Sequence, residues 1–312
     1  MTPFAFVFPG QGSQSVGMLD AWGDNAVVRQ TLAEASEALG EDLAKLIHEG
    51  PKDQLDLTTN TQPVMLAAGM ACYRAWLADT GLAPAVVAGH SLGEYTALVA
   101  SGGLSLADAL PLVRFRARAM QEAVPVGAGA MAAILGLDAQ AVREGCAEAA
   151  AATGEAVAAA NFNDPKQTVI AGTKAGVDRA CELLKARGAK RALLLAVSAP
   201  FHSSLMKPAA DRLKERLVAV TLAAPKIPLI NNIDVKIETD PTAMRDALYR
   251  QAYGPVRWAE IVQAIRARGI THVFECGPGK VLAGMVKRIE PDAVSAAVYD
   301  PASLAEAKGL LA

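Results

Sequence analysis

The segment Gly89-His90-Ser91-Leu92-Gly93 has the spacing of a nucleophile elbow, Gly-x-Ser-x-Gly. In such an elbow, a serine stands at the tip of a tight turn between a strand and a helix, so its hydroxyl leaves the sheet edge. The free N–H groups and the positive dipole end of the new helix then point toward whatever is bonded to the serine. An ordinary strand–loop–helix connection with an incidental serine is the alternative.

The residues on either side of this turn favour Ser91 as a nucleophile. Pro84 precedes a short apolar run that is typical of a buried parallel strand. The residues after the turn, 92–100, have helical apolar spacing, and Glu94 places an acid in the first turn. A strand, a turn and a helix are therefore predicted in the order that an elbow requires.

A serine hydroxyl is a poor nucleophile near neutral pH and needs a base within hydrogen-bond reach. The chain has four histidines. His90 adjoins the serine and is expected to point away from it, His48 lies in an acidic helical stretch, and His272 begins a strand. Elimination predicts His202 as the base. The alternative is that His202, as a loop residue, is exposed to solvent and has no catalytic role. Because no acid stands out as a third member, a backbone carbonyl or an amide side chain is expected to orient the imidazole.

Three arginines occupy alternate positions of a predicted helix: Arg114, Arg116 and Arg118. A basic trio on a helix is usually a solvated face, which is the plain alternative. Arg114 and Arg118 are four residues apart and share a face, whereas Arg116 points roughly the opposite way. We therefore expect Arg116 to face inward, where a buried guanidinium needs an anionic partner or ligand.

Two glycine-rich loops follow predicted strands, at residues 10–17 and 277–280. Either could cradle a phosphate, but the first lacks the Walker lysine and the G-x-G-x-x-G spacing, and the second lacks a following Ser or Thr. We interpret the second as a tight strand-to-helix turn. The first is expected to bring backbone N–H groups, with Gln11, next to the elbow, since loops at the carboxyl ends of neighbouring parallel strands converge on one crevice.

Positioning these groups requires an α/β core with a parallel sheet. Inside that pattern, the segment 128–196 is predicted to run strand, helix, strand, strand, helix, strand, which is the ferredoxin-like βαββαβ unit. We predict an α/β-hydrolase-like core formed by residues 1–127 and 197–312, with residues 128–196 as an inserted ferredoxin-like subdomain. The edge of the insert is expected to form one wall of a cleft over the elbow.

The composition limits the classes of protein that this chain can belong to. Of 312 residues, 52% are hydrophobic and 20% are charged, which favours a sizeable core over disorder. The net charge of −2 gives no reason to expect nucleic-acid or membrane-surface binding, and no apolar run reaches the ~18 residues of a spanning helix. Four widely spaced cysteines and an N-terminus without a basic lead-in favour a reducing cytoplasm.

Several short motifs, in this order along the chain, resemble the malonyl-CoA:acyl-carrier-protein transacylases of type II fatty-acid synthesis. The resemblance covers essentially the whole chain, and the acyltransferase domains of modular polyketide synthases share it. The motifs are Phe8-Pro9-Gly10-Gln11-Gly12-Ser13-Gln14, Gly89-His90-Ser91-Leu92-Gly93-Glu94-Tyr95, Phe115-Arg116 with Met120-Gln121, Pro200-Phe201-His202-Ser203-Ser204-Leu205-Met206, Asn231-Asn232, Gln251-Ala252-Tyr253-Gly254-Pro255-Val256-Arg257-Trp258 and Gly277-Pro278-Gly279.

This resemblance implies a ping-pong acyl transfer. It implies that malonyl-CoA acylates Ser91, that His202 takes the serine proton and returns it to the departing thiol, and that Arg116 holds the malonyl carboxylate. The phosphopantetheine thiol of acyl carrier protein then removes the malonyl group. Malonyl-CoA and acyl carrier protein are thus the implied substrates and partners, with no cofactor and no metal.

The resemblance also implies roles for three residues around this pair. The backbone N–H groups of Gln11 and Leu92 form the oxyanion hole. Gln251 positions His202 through its backbone carbonyl and lines the acyl pocket. The bulky Phe201 resembles its counterpart in acyltransferases that select malonyl over methylmalonyl groups.

Two other classes stay open from the sequence. A serine hydrolase or thioesterase would use the same nucleophile, but it has no need of a guanidinium that selects an acyl carboxylate. A non-catalytic scaffold with an acyltransferase fold would not need Ser91, His202 and Arg116 together.

Overall fold

Strands and helices alternate along residues 2–312, the part of the chain that the computed structural model describes. The strands are β1 (Phe4–Phe8), β2 (Val86–Gly89), β3 (Gly129–Leu135), β4 (Val157–Asp164), β5 (Gln167–Thr173), β6 (Arg191–Leu194), β7 (Leu229–Ile230), β8 (His272–Cys276) and β9 (Val294–Val298). The helices of the first half are α1 (Ala26–Leu39), α2 (Leu43–Glu49), α3 (Lys52–Leu55), α4 (Thr58–Thr80), α5 (Gly93–Ala100) and α6 (Leu106–Glu122). Those of the second half are α7 (Ala139–Thr153), α8 (Lys174–Ala186), α9 (Lys207–Val218), α10 (Pro241–Tyr253), α11 (Trp258–Ala267), α12 (Val281–Ile289) and α13 (Pro301–Gly309).

A parallel sheet with the strand order β7-β2-β1-β8-β9 forms the centre of the molecule. All five residues of β1 are buried, because helices cover both faces of the sheet. Successive side chains of a strand point to opposite faces. Phe4 and Phe6 accordingly pack with Trp76 of α4, and Ala5 and Val7 belong to the core cluster on the other face, with α11 and α12.

A second, antiparallel sheet has the strand order β4-β5-β3-β6. Its strands and the helices α7 and α8 follow each other as βαββαβ, and all of them lie between residues 129 and 194. They enclose a core cluster of their own, which includes Ile134, Val142, Ile170, Val177 and Leu184. The predicted fold class, α/β with a parallel sheet and a ferredoxin-like unit, is confirmed.

The two sheets meet where the parallel strands end. The carboxyl ends of β1 and β2 lead into the segments that follow Phe8 and Gly89, and these two residues are paired in register. A bridge between Asn161 of β4 and Val256, just before α11, links the second sheet to the core. The loops that follow the parallel strands therefore face the antiparallel sheet, as expected for a crevice at the strand ends.

Helix α4 contains a proline near its start. The structure begins α4 at Thr58, so Pro63 lies inside the helix. Because almost every residue of α4 between Thr58 and Trp76 is buried, packing outweighs the one backbone hydrogen bond that a proline removes.

Candidate active site

Ser91 lies at the turn between β2 and α5. Its φ angle is 52°, in the left-handed region that residues with a Cβ rarely adopt. The two flanking glycines are required by close approach. A Cβ on Gly89 would lie 1.9 Å from the carbonyl carbon of Gly93, and a Cβ on Gly93 would lie 2.0 Å from the carbonyl oxygen of Phe8. The Gly-x-Ser-x-Gly segment thus forms a strained strand-to-helix turn.

His202 meets this serine from a loop 111 residues further along the chain. Its Nε2 atom is 2.7 Å from the Oγ of Ser91. Its Nδ1 atom lies 2.9 Å from the carbonyl oxygen of Gln251 and 3.1 Å from that of Gly254. Since carbonyl oxygens only accept hydrogen bonds, Nδ1 carries the proton and Nε2 is free to accept the serine O–H. The imidazole is thus oriented by backbone carbonyls, one of the two arrangements expected for a dyad.

Burial keeps His202 neutral. Desolvation, followed by the positive charge of Arg116, lowers the pKa of His202 from 6.5 to about 3. The two carbonyls that accept from Nδ1 oppose this shift but do not cancel it. The imidazole can therefore accept a proton throughout the neutral pH range, as a general base must.

This depressed pKa predicts the pH profile of the first chemical step. We expect kcat/KM for malonyl-CoA to show no ionisation of His202 between about pH 5 and 8. Burial raises the pKa of Glu94 to about 7, so Glu94 is a group that does titrate in this window. The Glu94→Gln variant removes its contribution and is the control. An inflection near pH 6.5 that persists in Glu94→Gln would show that His202 ionises normally and would contradict the assignment.

Arg116 of α6 points into the same site and is 2% exposed. Its two terminal nitrogens lie 2.8 Å from Oε1 of Gln62, 3.0 Å from Oε1 of Gln251 and 3.3 Å from Oγ of Ser91. The guanidinium forms no ion pair within residues 2–312, and its Nε has no acceptor there. A buried cation that contacts only neutral groups is prepared to bind an anionic ligand.

The neighbouring arginines do not share one solvent-facing surface. Arg118 is exposed, but Arg114 is buried and donates two hydrogen bonds to the carboxylate of Glu41, at 2.6 and 2.9 Å. The sequence predicts that Arg114 and Arg118 lie together on one face of the helix. That prediction does not take into account the packing of this face, where Glu41, just after α1, binds Arg114. Arg114 is therefore structural, and Arg116 is the arginine of this helix that reaches the site.

One cavity of about 220 Å³ is lined by Gln11, Ser91, Leu92, Arg116 and His202. Leu92 stands immediately before α5, at the positive end of its dipole. Gln11 lies in the loop after β1, next to the elbow. Neither backbone N–H donates to an acceptor in the described chain, so both are available to a ligand oxygen in this cavity.

Gln251 lies behind this cavity rather than in its wall. It is fully buried, and its side-chain amide donates to the carbonyl oxygen of Ser91 at 2.9 Å. Its side-chain oxygen accepts from Arg116, and its backbone carbonyl accepts from His202. The structure therefore places Gln251 where it contacts all three groups, and Gln251 is not among the residues that line this cavity.

The antiparallel sheet supplies the opposite wall of the cavity. Met131, Asn161, Asn163 and Val169, from its three longer strands, line the cavity together with the loop residue Phe201. His90 also faces the cavity, and its Nε2 donates to the side-chain oxygen of Asn163 at 2.9 Å. His90 therefore contacts the antiparallel sheet and not the hydroxyl of its neighbour.

Three buried polar residues contact the site residues, and the sequence indicated no such role for any of them. Gln62 contacts Arg116, and Glu94 accepts hydrogen bonds from the Gln251 side chain at 3.1 Å and from the backbone N–H of Asn232 at 2.9 Å. All three are at most 2% exposed. Glu94 has a signal in the sequence, since it is the only charged residue of the largely apolar helix α5, whereas Gln62 follows four polar residues of α4 and has none.

Two other kinds of site find no support. Among the described residues, no three His, Cys, Asp or Glu side chains lie close enough together to hold a metal ion. No helix within residues 2–312 has both the length and the apolar character that a bilayer-spanning helix needs.

This chain is similar to known acyltransferases over nearly its whole length. The family model of the acyl transferase domain matches residues 5–299. The malonyl CoA-acyl carrier protein transacylase of Escherichia coli (strain K12) is 53% identical over 308 residues, covering 98% of this chain and 99% of the relative. The crystal structure of an acyl-carrier-protein S-malonyltransferase from Burkholderia pseudomallei 1710b is 66% identical with a TM-score of 0.96, covering 98% and 99% of the two chains. A type II polyketide malonyl-transacylase in complex with its acyl carrier protein is 50% identical with a TM-score of 0.96, over 98% and 99%.

Proposed function

This chain belongs to the acyl transferase family, and we propose that it moves a malonyl group from malonyl-CoA to the phosphopantetheine thiol of acyl carrier protein. The product would serve fatty-acid or polyketide synthesis. One observation carries the proposal: a serine–imidazole pair 2.7 Å apart shares a cavity with a buried guanidinium that contacts only neutral groups within residues 2–312. The pair can form an acyl-enzyme, and the guanidinium can select an acyl group that ends in a carboxylate.

The first half of the reaction acylates Ser91. Nε2 of His202 takes the hydroxyl proton as Oγ attacks the thioester carbonyl carbon, which gives a tetrahedral intermediate with a negatively charged oxygen. The N–H groups of Gln11 and Leu92 would donate to that oxygen. When the C–S bond breaks, the imidazolium returns its proton to the departing thiolate of CoA. A malonyl ester on Ser91 remains.

Arg116 would hold the free carboxylate of the malonyl group throughout this step. A guanidinium can donate two parallel hydrogen bonds to a carboxylate, and such charge-assisted pairs are about twice as strong as neutral ones. Ser91 Oγ lies 3.3 Å from a terminal nitrogen of Arg116, so the clamp and the nucleophile are close enough to engage one three-carbon acyl group.

The second half repeats the chemistry with the other thiol. The phosphopantetheine thiol loses its proton to His202 and attacks the ester carbonyl, and Ser91 leaves and regains the proton. The proposed cycle needs no resident cofactor, because His202 and the two N–H groups supply the proton transfer and the charge stabilisation. We propose the cytoplasm as the compartment, since all four cysteines are free and buried, as is usual where thiols stay reduced.

A transfer assay distinguishes this function from that of a serine hydrolase. The enzyme is mixed with malonyl-CoA, and CoA, free malonate and malonyl-carrier are followed with and without holo acyl carrier protein. We expect about one equivalent of CoA per enzyme without the carrier, and continuous CoA release with matching malonyl-carrier once it is added. Release of free malonate at a rate that the carrier does not affect would contradict the proposal.

A further inference from the structure

The side chain of Asn232 bridges both sides of the elbow. Its Oδ1 accepts the backbone N–H of Ser91 at 2.7 Å, and its Nδ2 donates to the carbonyl oxygen of Gly89 at 2.6 Å. One amide therefore spans His90 and satisfies a donor and an acceptor at the point where β2 turns toward α5. Asn232 is separated from Ser91 by 141 residues, so this bridge is a tertiary contact.

Asn232 is itself held firmly. It is fully buried, its backbone N–H donates to Oε2 of Glu94 at 2.9 Å, and its carbonyl accepts the N–H of Arg257 at 3.2 Å. Two residues later in the same loop, Asp234 forms a two-pronged ion pair with Arg250 of α10, at 2.6 and 2.8 Å. The bridge is thus fixed to α5, α10 and the start of α11 together.

Ser91 needs such a constraint. A non-glycine residue in the left-handed region is strained and keeps that conformation only where its surroundings impose it. The Ser91 N–H is held by Asn232 and its carbonyl oxygen by Gln251. Loss of the Asn232 contact would leave a partly buried N–H without its partner and release one of the two side-chain contacts on the Ser91 backbone.

We propose that Asn232 is a positioning residue, which keeps Ser91 in its strained conformation and so aims Oγ at Nε2 of His202. The proposal deepens the proposed function and rests on it, since Ser91 Oγ is there the attacking atom. A displacement of about 1 Å at a reacting atom costs on the order of 10²-fold in rate. Because Asn232 contacts neither Arg116 nor the cavity, its loss should slow acylation without changing which acyl group is preferred.

The adjacent asparagine provides a matched control. Asn231 is equally buried at 3% exposure and bonds the N–H of Asp234 in the same loop, but it does not contact the elbow. Asn232→Ala and Asn231→Ala are compared for the rate of Ser91 acylation by malonyl-CoA and by acetyl-CoA. A second reaction is the displacement of fluoride from phenylmethylsulfonyl fluoride by Ser91 Oγ, which requires no malonyl specificity.

We expect Asn232→Ala to lower all three rate constants by about 10²-fold, with KM for malonyl-CoA changed by no more than about twofold. Asn231→Ala should stay within about threefold of the unmodified enzyme. Equal rates in the two variants would overturn the proposal, as would a loss confined to malonyl-CoA. Failure of the proposed function looks different, because the unmodified enzyme would then react with the sulfonyl fluoride but not with malonyl-CoA.

Asn232→Asp gives a second test should the alanine variant not fold. A neutral aspartic acid can accept from Ser91 and donate its O–H to Gly89, whereas the ionised form cannot donate. Arg257 meets this position only through its backbone N–H, and Glu94, whose pKa burial raises to about 7, is present in both proteins that the ratio compares. We expect the ratio of its acylation rate to that of the unmodified enzyme to rise at least tenfold as the pH falls from about 8 to 5. A ratio independent of pH would overturn the proposal.

Discussion

Replacement of His202 by alanine is expected to slow the acylation of Ser91 by about 10²–10⁴-fold, the usual contribution of a positioned general base. The physical reason is that Nε2 of His202, 2.7 Å from the serine oxygen, is a neutral acceptor at neutral pH. Without it, the hydroxyl must lose its proton to water. Rapid mixing with malonyl-CoA, with CoA release as the signal, measures this step directly.

His272→Ala is the control for this variant. His272 lies on β8, half-buried, and its ring contacts the hydroxyl of Thr271 rather than the site. Its replacement should leave the acylation rate within about twofold. A rate in His202→Ala that differs from the control by less than tenfold would show that the imidazole is not the base.

The second large effect is expected at Arg116. Arg116→Ala removes the cation that would bind the acyl carboxylate, and hydrogen bonds to charged groups contribute about 1.5–3 kcal/mol each. We therefore expect kcat/KM for malonyl-CoA to fall by about 10–100-fold or more. Acetyl-CoA has no carboxylate to lose, and the charge of Arg116 lowers the pKa of His202, so its removal should leave acetyl transfer unchanged or faster.

Arg114→Ala serves as the matched control on the same helix. Arg114 is buried like Arg116, but it pairs with Glu41 outside the site. Its loss should lower the free energy of unfolding and leave the malonyl-to-acetyl ratio of kcat/KM unchanged. If Arg116→Ala reduced malonyl and acetyl transfer equally, Arg116 would be structural and the selection of malonyl would need another cause.

The features that local sequence determines could be predicted. The elbow needs both glycines, because a Cβ on Gly89 would meet the Gly93 backbone and a Cβ on Gly93 would meet the carbonyl of Phe8. The βαββαβ unit follows from alternating apolar runs that enclose their own core cluster. Helix geometry places Arg116 roughly opposite the exposed Arg118, since positions two apart on a helix do not face each other, and this is what made its inward direction predictable.

Features that depend on distant partners could not be predicted. Arg114 is buried because Glu41, 73 residues earlier, meets it, and no local spacing contains that information. The second carbonyl that accepts from His202 Nδ1, that of Gly254, carries no side-chain signature and was not indicated by the sequence. The resemblance indicated Gln251 but not its place, which is behind Ser91 and in contact with Glu94.

The formation of a malonyl ester on Ser91 tests the central claim most directly. The enzyme is incubated with malonyl-CoA without carrier, and the intact mass and the peptide that contains residues 89–95 are measured beside those of Ser91→Ala. We expect one malonyl group per chain, located on Ser91, which disappears when holo acyl carrier protein is added and never forms in Ser91→Ala. An adduct on another residue, or full transfer activity in Ser91→Ala, would contradict the account.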